Sequence, residues 1–310
     1  MYFVQALNSK NEWWRYLATL GVVFFVYFFL GALPLTLVVT IKVLHNSTID
    51  LNAFNETYDP AAIGIEQNTG LILFLIPAVL SFIALLIMMI YLHSRKIGGI
   101  ASATGHIRWN RLLTGSLVWL ILLIAVEVLF AYKNPENYIF HYDPARFIPL
   151  VFITVLIIPL QAWSEELLFR SYLMQGIGIL FNSRIIALII TSCLFGSMHF
   201  MNPEVKEFGL WTTMPYYIGF GLFAGLLVVF DNGIELACGV HAINNMYSAA
   251  LVTYNSSALK TAALWRIKRL DPIEMLIAFT IMAILYLIVM AGLYKWKNFS
   301  KLVKPVSSTN

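Results

Sequence analysis

The feature that most constrains this sequence is a series of apolar runs, each of roughly the length that a helix needs to cross a bilayer. Eight such runs occur, at Leu17–Leu44, Gly70–Leu92, Leu112–Tyr132, Phe147–Trp163, Ile185–Phe200, Thr213–Phe230, Ile234–Tyr254 and Met275–Tyr294. Of the 310 residues, 60% are hydrophobic and 12% are charged, which is more apolar surface than a soluble fold can bury. We therefore predict an all-α membrane protein: one bundle of about eight transmembrane helices with a polar intramembrane site.

The charged residues stand mainly between the apolar runs. Twenty Lys and Arg against 16 Asp and Glu give a formal charge of +4, too weak and too scattered to indicate a nucleic-acid partner. Basic residues flank the first and last runs and fill the connector 93–111, whereas the connector 45–68 carries acids and no Lys or Arg. Because cytoplasmic connectors are enriched in Lys and Arg, we predict a multi-pass protein of the cell membrane with both termini cytoplasmic.

The segment 256–271 does not fit this orientation. An eight-helix bundle places it outside, yet it holds four basic residues against one acid. Its apolar residues recur at helical spacing, which permits a helix lying in the membrane interface. We accordingly divide the chain into N-terminal helices over 1–146, a core over 147–254, and an interfacial segment, last span and tail over 255–310.

Ionisable side chains inside the membrane are costly unless paired or hydrated, so each is a candidate for function. The richest cluster reads SEELLFR, from Ser164 to Arg170. Glu166 and Arg170 stand one helical turn apart and can neutralise each other, while Glu165 points about 100° away and lacks that partner. The purely structural interpretation is an amphipathic helix end at the lipid headgroups. Two adjacent acids with an Arg, followed by more apolar residues, favour a functional site instead.

Two further motifs place polar groups in apolar runs. Phe195 and His199 share a helix face beside Gly196, whose small size lets another helix approach closely. His241 and Asn245 likewise lie one turn apart. Either histidine alone would more often be structural, so the hypothesis of a site depends on the motifs together.

Helix lengths predict which of these motifs can meet. A turn near 182–183 places Glu165 and His199 at similar depth in an antiparallel helix pair. The assumed boundaries place His241 at a shallower depth, and helix tilt or interfacial segments would have to close that gap.

Together, the three motifs resemble those of the CAAX-protease and bacteriocin-processing family. That family has a Glu-Glu pair with Arg four residues after the second Glu, a Phe with His four residues later, and a His with Asn or a similar residue four later. All three occur here in order, within about 148–251. The resemblance implies an intramembrane endopeptidase that acts on a membrane-associated peptide or protein.

The chemistry implied by the resemblance assigns roles to individual residues. Glu165 would activate water, His199 would orient that water or share its proton, and His241 and Asn245 would donate to the oxyanion. The supporting residues would be Glu166, Arg170 and Phe195. A second version uses the same atoms as a zinc site, with Glu165, His199 and His241 as ligands. No His-Glu-x-x-His motif occurs, and residue spacing alone predicts the metal-free site and the zinc site equally.

Two other functions compete with the protease. One is a non-enzymatic scaffold or regulator of the same fold, whose polar cluster only joins helices while it binds a partner membrane protein in bacteriocin immunity or signalling. The other is a transporter, suggested by the isolated intramembrane acid Glu127, although no inverted pair of broken helices appears. We expect Glu127 to face a polar neighbour in the bundle.

Overall fold

Eight helices occupy the positions of the eight apolar runs in a computed structural model that describes residues 2–45, 49–297 and 299–307. The helices are α1 Trp13–His45, α2 Gln67–Leu92, α3 Trp109–Lys133, α4 Pro144–Phe181, α5 Arg184–Ser197, α6 Leu210–Asp231, α7 Glu235–Ala250 and α8 Pro272–Leu293. The protein is 76% helical, which confirms the predicted all-α membrane bundle.

The eight helices differ in their capacity to span a bilayer. Six of them are long and apolar enough to do so. The other two, α5 and α7, have 14 and 16 residues and extend about 21 and 24 Å, less than the hydrocarbon thickness of about 30 Å. The eight-span count therefore stays a prediction, and the connectors that follow α5 and α7 begin within the thickness of the bundle.

One end of the bundle, here called the terminal end, carries both described ends of the chain, near Tyr2 and Ser307. The N-terminal helix Tyr2–Leu7 contacts the connector between α2 and α3, where Gln5 Nε2 donates to Ala103 O at 2.9 Å. Ser307 N donates to Asn182 Oδ1 at 3.0 Å, so the C-terminal tail contacts the turn between α4 and α5. The two described ends of the chain thus lie on one side, as the predicted orientation requires.

The opposite end, here called the sheet end, carries a small sheet of three strands. These are β1 Tyr138–Phe140, β2 Val252–Tyr254 and β3 Trp265–Ile267, in the order β1-β3-β2, with β1 antiparallel and β2 parallel to β3. The apolar spacing within 256–271 permitted an interfacial helix, and that interpretation is wrong because β3 lies in this segment. Strand pairing satisfies backbone groups of Trp265–Ile267, and helical spacing of the apolar residues did not outweigh that.

Helix α4 corrects a second boundary. The predicted run ends at Trp163, whereas α4 continues to Phe181, with a break at Ile157 ahead of Pro159. The helix continues through the polar cluster because the acids there find partners inside the bundle. The predicted turn is confirmed, since Asn182 adopts a left-handed conformation and Ser183 caps α5.

The core lies around α6, which packs against α5, α7 and α8. On its α8 side the core is aromatic: Trp119 is fully buried, stacks on Phe223 at a ring distance of 5.3 Å and meets Tyr286 edge-on. Such rigid packing fixes the positions of the helices that carry the polar motifs.

Candidate active site

The paired acids of the first motif lie where α4 changes its winding. Glu165 and Glu166 end an α-helical segment, Ile158–Glu166, and a π-helical turn, Leu167–Leu173, follows directly. A π-helical turn widens the helix locally and is frequently found at functional sites. Here it begins at the residue after the two carboxylates.

Glu166 and Arg170 form the predicted ion pair. Arg170 Nη1 lies 3.2 Å from Glu166 Oε1, and the two side chains are 1% and 0% exposed. The guanidinium also lies over the Phe195 ring, 4.2 Å from its centroid. The pair neutralises two charges that would be costly alone, and a supporting role for Glu166, Arg170 and Phe195 stays a prediction.

His241 is the link between the first and third motifs. Its Nδ1 lies 2.7 Å from Glu166 Oε1, so it donates to that carboxylate, and its Nε2 lies 3.8 Å from Glu165 Oε2. One carboxylate thus fixes the imidazole, and the opposite ring nitrogen faces the other carboxylate.

The predicted depth mismatch of His241 is absent because the connector between α2 and α3 folds into the bundle. Ser171 Oγ donates to Ile100 O at 2.8 Å, and Ser102 pairs with Gly233 in the turn before α7. Ser171 lies six residues after Glu165 and Gly233 lies eight before His241. The connector therefore places Glu165 and His241 at similar depths in the bundle.

Glu165 has no ion-pair partner on its own helix, as predicted, but it has a neutral one. Gln161 Nε2 donates to Glu165 Oε1 at 2.5 Å, and Asn245 Nδ2 donates to Gln161 Oε1 at 3.1 Å. Gln161 therefore joins the first motif to the third. Its position four residues before Glu165 puts both side chains on one helix face, a spacing from which the contact could have been predicted.

His199 lies just beyond the end of α5, in a turn. Its Nδ1 donates to Phe195 O at 2.8 Å, and its ring stacks on Tyr217 of α6 at 4.2 Å between centroids. Gly196 permits this approach of α6, because a Cβ there would stand 2.6 Å from Ile218 Cγ1. Tyr217 had no signal in the sequence, since only tertiary packing brings it to the site.

A cavity of about 540 Å³ unites these groups. All four predicted catalytic residues line it, together with the newly found Gln161 and Tyr217; the predicted four are Glu165, His199, His241 and Asn245. From there it extends to the sheet end, where Glu204 and Tyr254 line it. Space for a peptide thus adjoins a carboxylate, two imidazoles and an amide.

The zinc alternative requires three side chains placed to hold one ion. Within residues 2–45, 49–297 and 299–307, no group of three or more His, Cys, Asp or Glu side chains is placed to hold a metal ion. Glu165, His199 and His241 share the cavity without forming a three-ligand site.

Glu127, the acid that suggested a transporter, has polar neighbours as expected. Tyr138 Oη donates to one of its oxygens at 2.5 Å and Tyr247 Oη to the other at 3.4 Å. The acid on α3 therefore joins β1 and α7, and both of its oxygens are occupied.

Comparison with known proteins gives a family match for the segment that holds the motifs. Residues 145–247 match the family described as type II CAAX prenyl endopeptidase Rce1-like. This segment contains all three motifs, and the match confirms the resemblance given by the sequence.

A relative matches over a longer stretch. The protein named "Uncharacterized protein YyaK" of Bacillus subtilis (strain 168) is 26% identical over 256 residues, covering 82% of this chain and 83% of that protein. No solved structure matches the chain significantly. The family match thus indicates, at the level of the family, a membrane peptidase of the CAAX-protease type.

Proposed function

We propose that this chain is an intramembrane endopeptidase that hydrolyses a peptide bond in a membrane-associated peptide or protein. The observation that carries the proposal is the position of Glu165 Oε2, 3.8 Å from His241 Nε2, with both side chains lining the cavity. A separation of 3.8 Å is too long for a direct hydrogen bond and lets one water molecule contact both atoms.

Glu165 serves as the general base. It takes a proton from the water, and the resulting hydroxide attacks the carbonyl carbon of the scissile bond. Gln161 holds one carboxylate oxygen at 2.5 Å and leaves the other facing His241. The same proton then passes to the leaving amine, and the products are a new carboxylate and a new amine.

His241 and Asn245 stabilise the charge that develops on the carbonyl oxygen. When doubly protonated, His241 donates from Nε2 while Nδ1 stays bonded to Glu166. One amide hydrogen of Asn245 is bonded to Gln161, and the second is free to donate. The arrangement resembles the way in which a buried carboxylate orients a catalytic histidine in hydrolases.

His199 is the second proton carrier. Because its Nδ1 hydrogen is bonded to Phe195 O, Nε2 is the nitrogen left to accept a proton in the cavity. The stacked Tyr217 ring restricts its orientation. His199 can therefore align the water or carry its proton to the leaving amine.

Purified protein in lipid nanodiscs tests the proposal. It is incubated with peptides extracted from membranes, and new termini are identified by mass spectrometry. We expect cleavage by the parent and by a matched control, Glu56→Gln, which changes an exposed acid. His199→Ala, His241→Ala and Asn245→Ala should each reduce it. Equal cleavage by all variants would contradict the proposed site.

Two further readouts separate the remaining functions. Bound zinc, measured in the same purified samples, decides the metal question directly. A scaffold whose polar cluster only joins helices would cleave nothing, and its association with partner membrane proteins would survive the substitution of Glu165 by Gln.

A further inference from the structure

The cavity contains more acids than the proposed hydrolysis uses. Within the described chain, five carboxylates line it: Glu127, Glu165, Glu204, Asp271 and Glu274. Arg269 is the single Lys or Arg among these described lining residues. Both oxygens of Glu127 are occupied by Tyr hydroxyls, and Asp271 caps α8. Glu204 is the acid in this set with a buried oxygen that has no hydrogen-bond partner in the described chain.

Glu204 lies in the first turn of the short helix Pro203–Phe208 and is 8% exposed. Its Oε1 accepts from Tyr254 Oη at 3.1 Å and from Ala258 N at 2.9 Å. Its Oε2 is buried and has no hydrogen-bond partner in the described chain. The ammonium of Lys260 donates to Asn255 O instead.

An unpaired carboxylate oxygen in a cavity wall is costly, because burial removes its hydration without replacing it. Burial accordingly raises the pKa of Glu204. A cation bound beside Oε2 would favour the charged form and supply the missing donor. Oε1 is held by the protein itself and Glu204 lines the cavity, so Oε2 is the oxygen that remains to pair with a ligand there.

The distance from Glu204 to the proposed catalytic groups fits a peptide. Glu204 follows His199 by five residues, so their Cα atoms are at most about 18 Å apart. The two are also joined through Asn202, whose Nδ2 donates to Tyr217 Oη at 3.1 Å. An extended peptide advances about 3.3 Å per residue, so Glu204 lies within about five residues of a bond held at His199.

We propose that Glu204 is a specificity subsite that binds a basic side chain of the substrate, a Lys ammonium or an Arg guanidinium, within about five residues of the scissile bond. The assignment of Glu204 to a substrate subsite rests on the proposed function. An acidic residue at the same place would meet the acid-rich lining and be rejected.

The test measures binding apart from cleavage. Protein carrying Glu165→Gln, in nanodiscs, is titrated with fluorescein-labelled 12-residue Leu/Ala peptides whose central residue is Lys, norleucine or Glu. Fluorescence anisotropy gives the Kd. A charge-assisted hydrogen bond to a buried carboxylate predicts a Kd about tenfold to a hundredfold lower for the Lys peptide than for the norleucine peptide.

The matched variants are Glu204→Gln and Glu207→Gln, each added to the Glu165→Gln protein. Glu207 is an exposed acid on the same short helix. We expect the Lys preference to disappear in the first and to persist in the second. Equal Kd values for the three peptides, or a preference that survives Glu204→Gln in folded protein, would overturn the proposal. If Glu204→Gln does not fold, the peptide series alone decides it.

Cleavage of the same peptides by protein with intact Glu165 separates the two hypotheses. Binding of the Lys peptide with no cleavage contradicts the proposed function and supports the subsite. Cleavage that depends on Glu165 and shows no preference for Lys overturns the subsite and supports the function.

Discussion

Replacing Arg170 by Met should destabilise the bundle strongly. Arg170 Nη1 and Glu166 Oε1 are 3.2 Å apart, and both side chains are fully buried. At an effective dielectric constant of about 20 the attraction at this distance is about 5 kcal/mol, and losing one partner of a buried pair costs about 3–5 kcal/mol. Most of that cost is the unpaired Glu166 carboxylate left without solvent.

A double-mutant cycle separates the ion pair from other effects. Glu166→Gln with Arg170→Met removes both charges, and the amide oxygen of Gln can still accept from His241 Nδ1. We expect the double variant to be several kcal/mol more stable than Arg170→Met, because no charge is left unpaired. The free energy of unfolding is measured by denaturant titration in mixed micelles.

One outcome would refute this reasoning. If Arg170→Met unfolds at the same denaturant concentration as the parent but has lost all peptide cleavage, Arg170 takes part in the chemistry and the ion pair is not its main role. A double variant as unstable as the single one would equally contradict the electrostatic account.

Three further predictions concern the bundle. A reporter fused after Asn310 should read as cytoplasmic and one inserted in 134–143 as external; the same side for both would exclude the predicted topology. Gly196→Ala should cost about 1–3 kcal/mol in unfolding free energy, because its Cβ would stand 2.6 Å from α6, whereas Gly292→Ala meets nothing within 4 Å and should be neutral; equal effects would contradict the packing. Glu127→Leu should lower the unfolding free energy by about 1–3 kcal/mol by removing the acceptor of two Tyr hydroxyls, and an unchanged value would contradict that role.

Local spacing predicted the parts of the site that lie on one helix. Glu166 with Arg170, and His241 with Asn245, are each one turn apart, so their relations follow from helix geometry alone. The turn at 182–183 was predictable for the same reason, since its Asn and Ser suit a left-handed residue followed by a helix cap.

Contacts between distant segments could not be predicted in this way. The depth of His241 in the bundle depends on the connector between α2 and α3, where Ser102 pairs with Gly233. A hydropathy pattern carries no information about such a connector folding into the bundle. The stacking of Tyr217 on His199 likewise results from the packing of α6 against α5.

In the basic segment 256–271, local spacing gave a wrong interpretation. Its apolar residues have helical spacing, but the segment pairs with β1 and β2 at the sheet end. A periodicity over few residues is a weak signal when neighbouring backbone groups offer strand pairing. The same sheet end brings Tyr254 and Glu204 to the cavity, which no local pattern indicated.

The central claim is that Glu165 activates the water that cleaves the peptide, and one paired measurement tests it most directly. The cleavage rate and the unfolding midpoint are determined on the same preparations of parent and Glu165→Gln protein. Loss of a general base predicts a rate about 10²–10⁴-fold lower, with the midpoint unchanged or slightly higher because a neutral amide replaces an intramembrane carboxylate. An unchanged cleavage rate at equal stability would contradict the account.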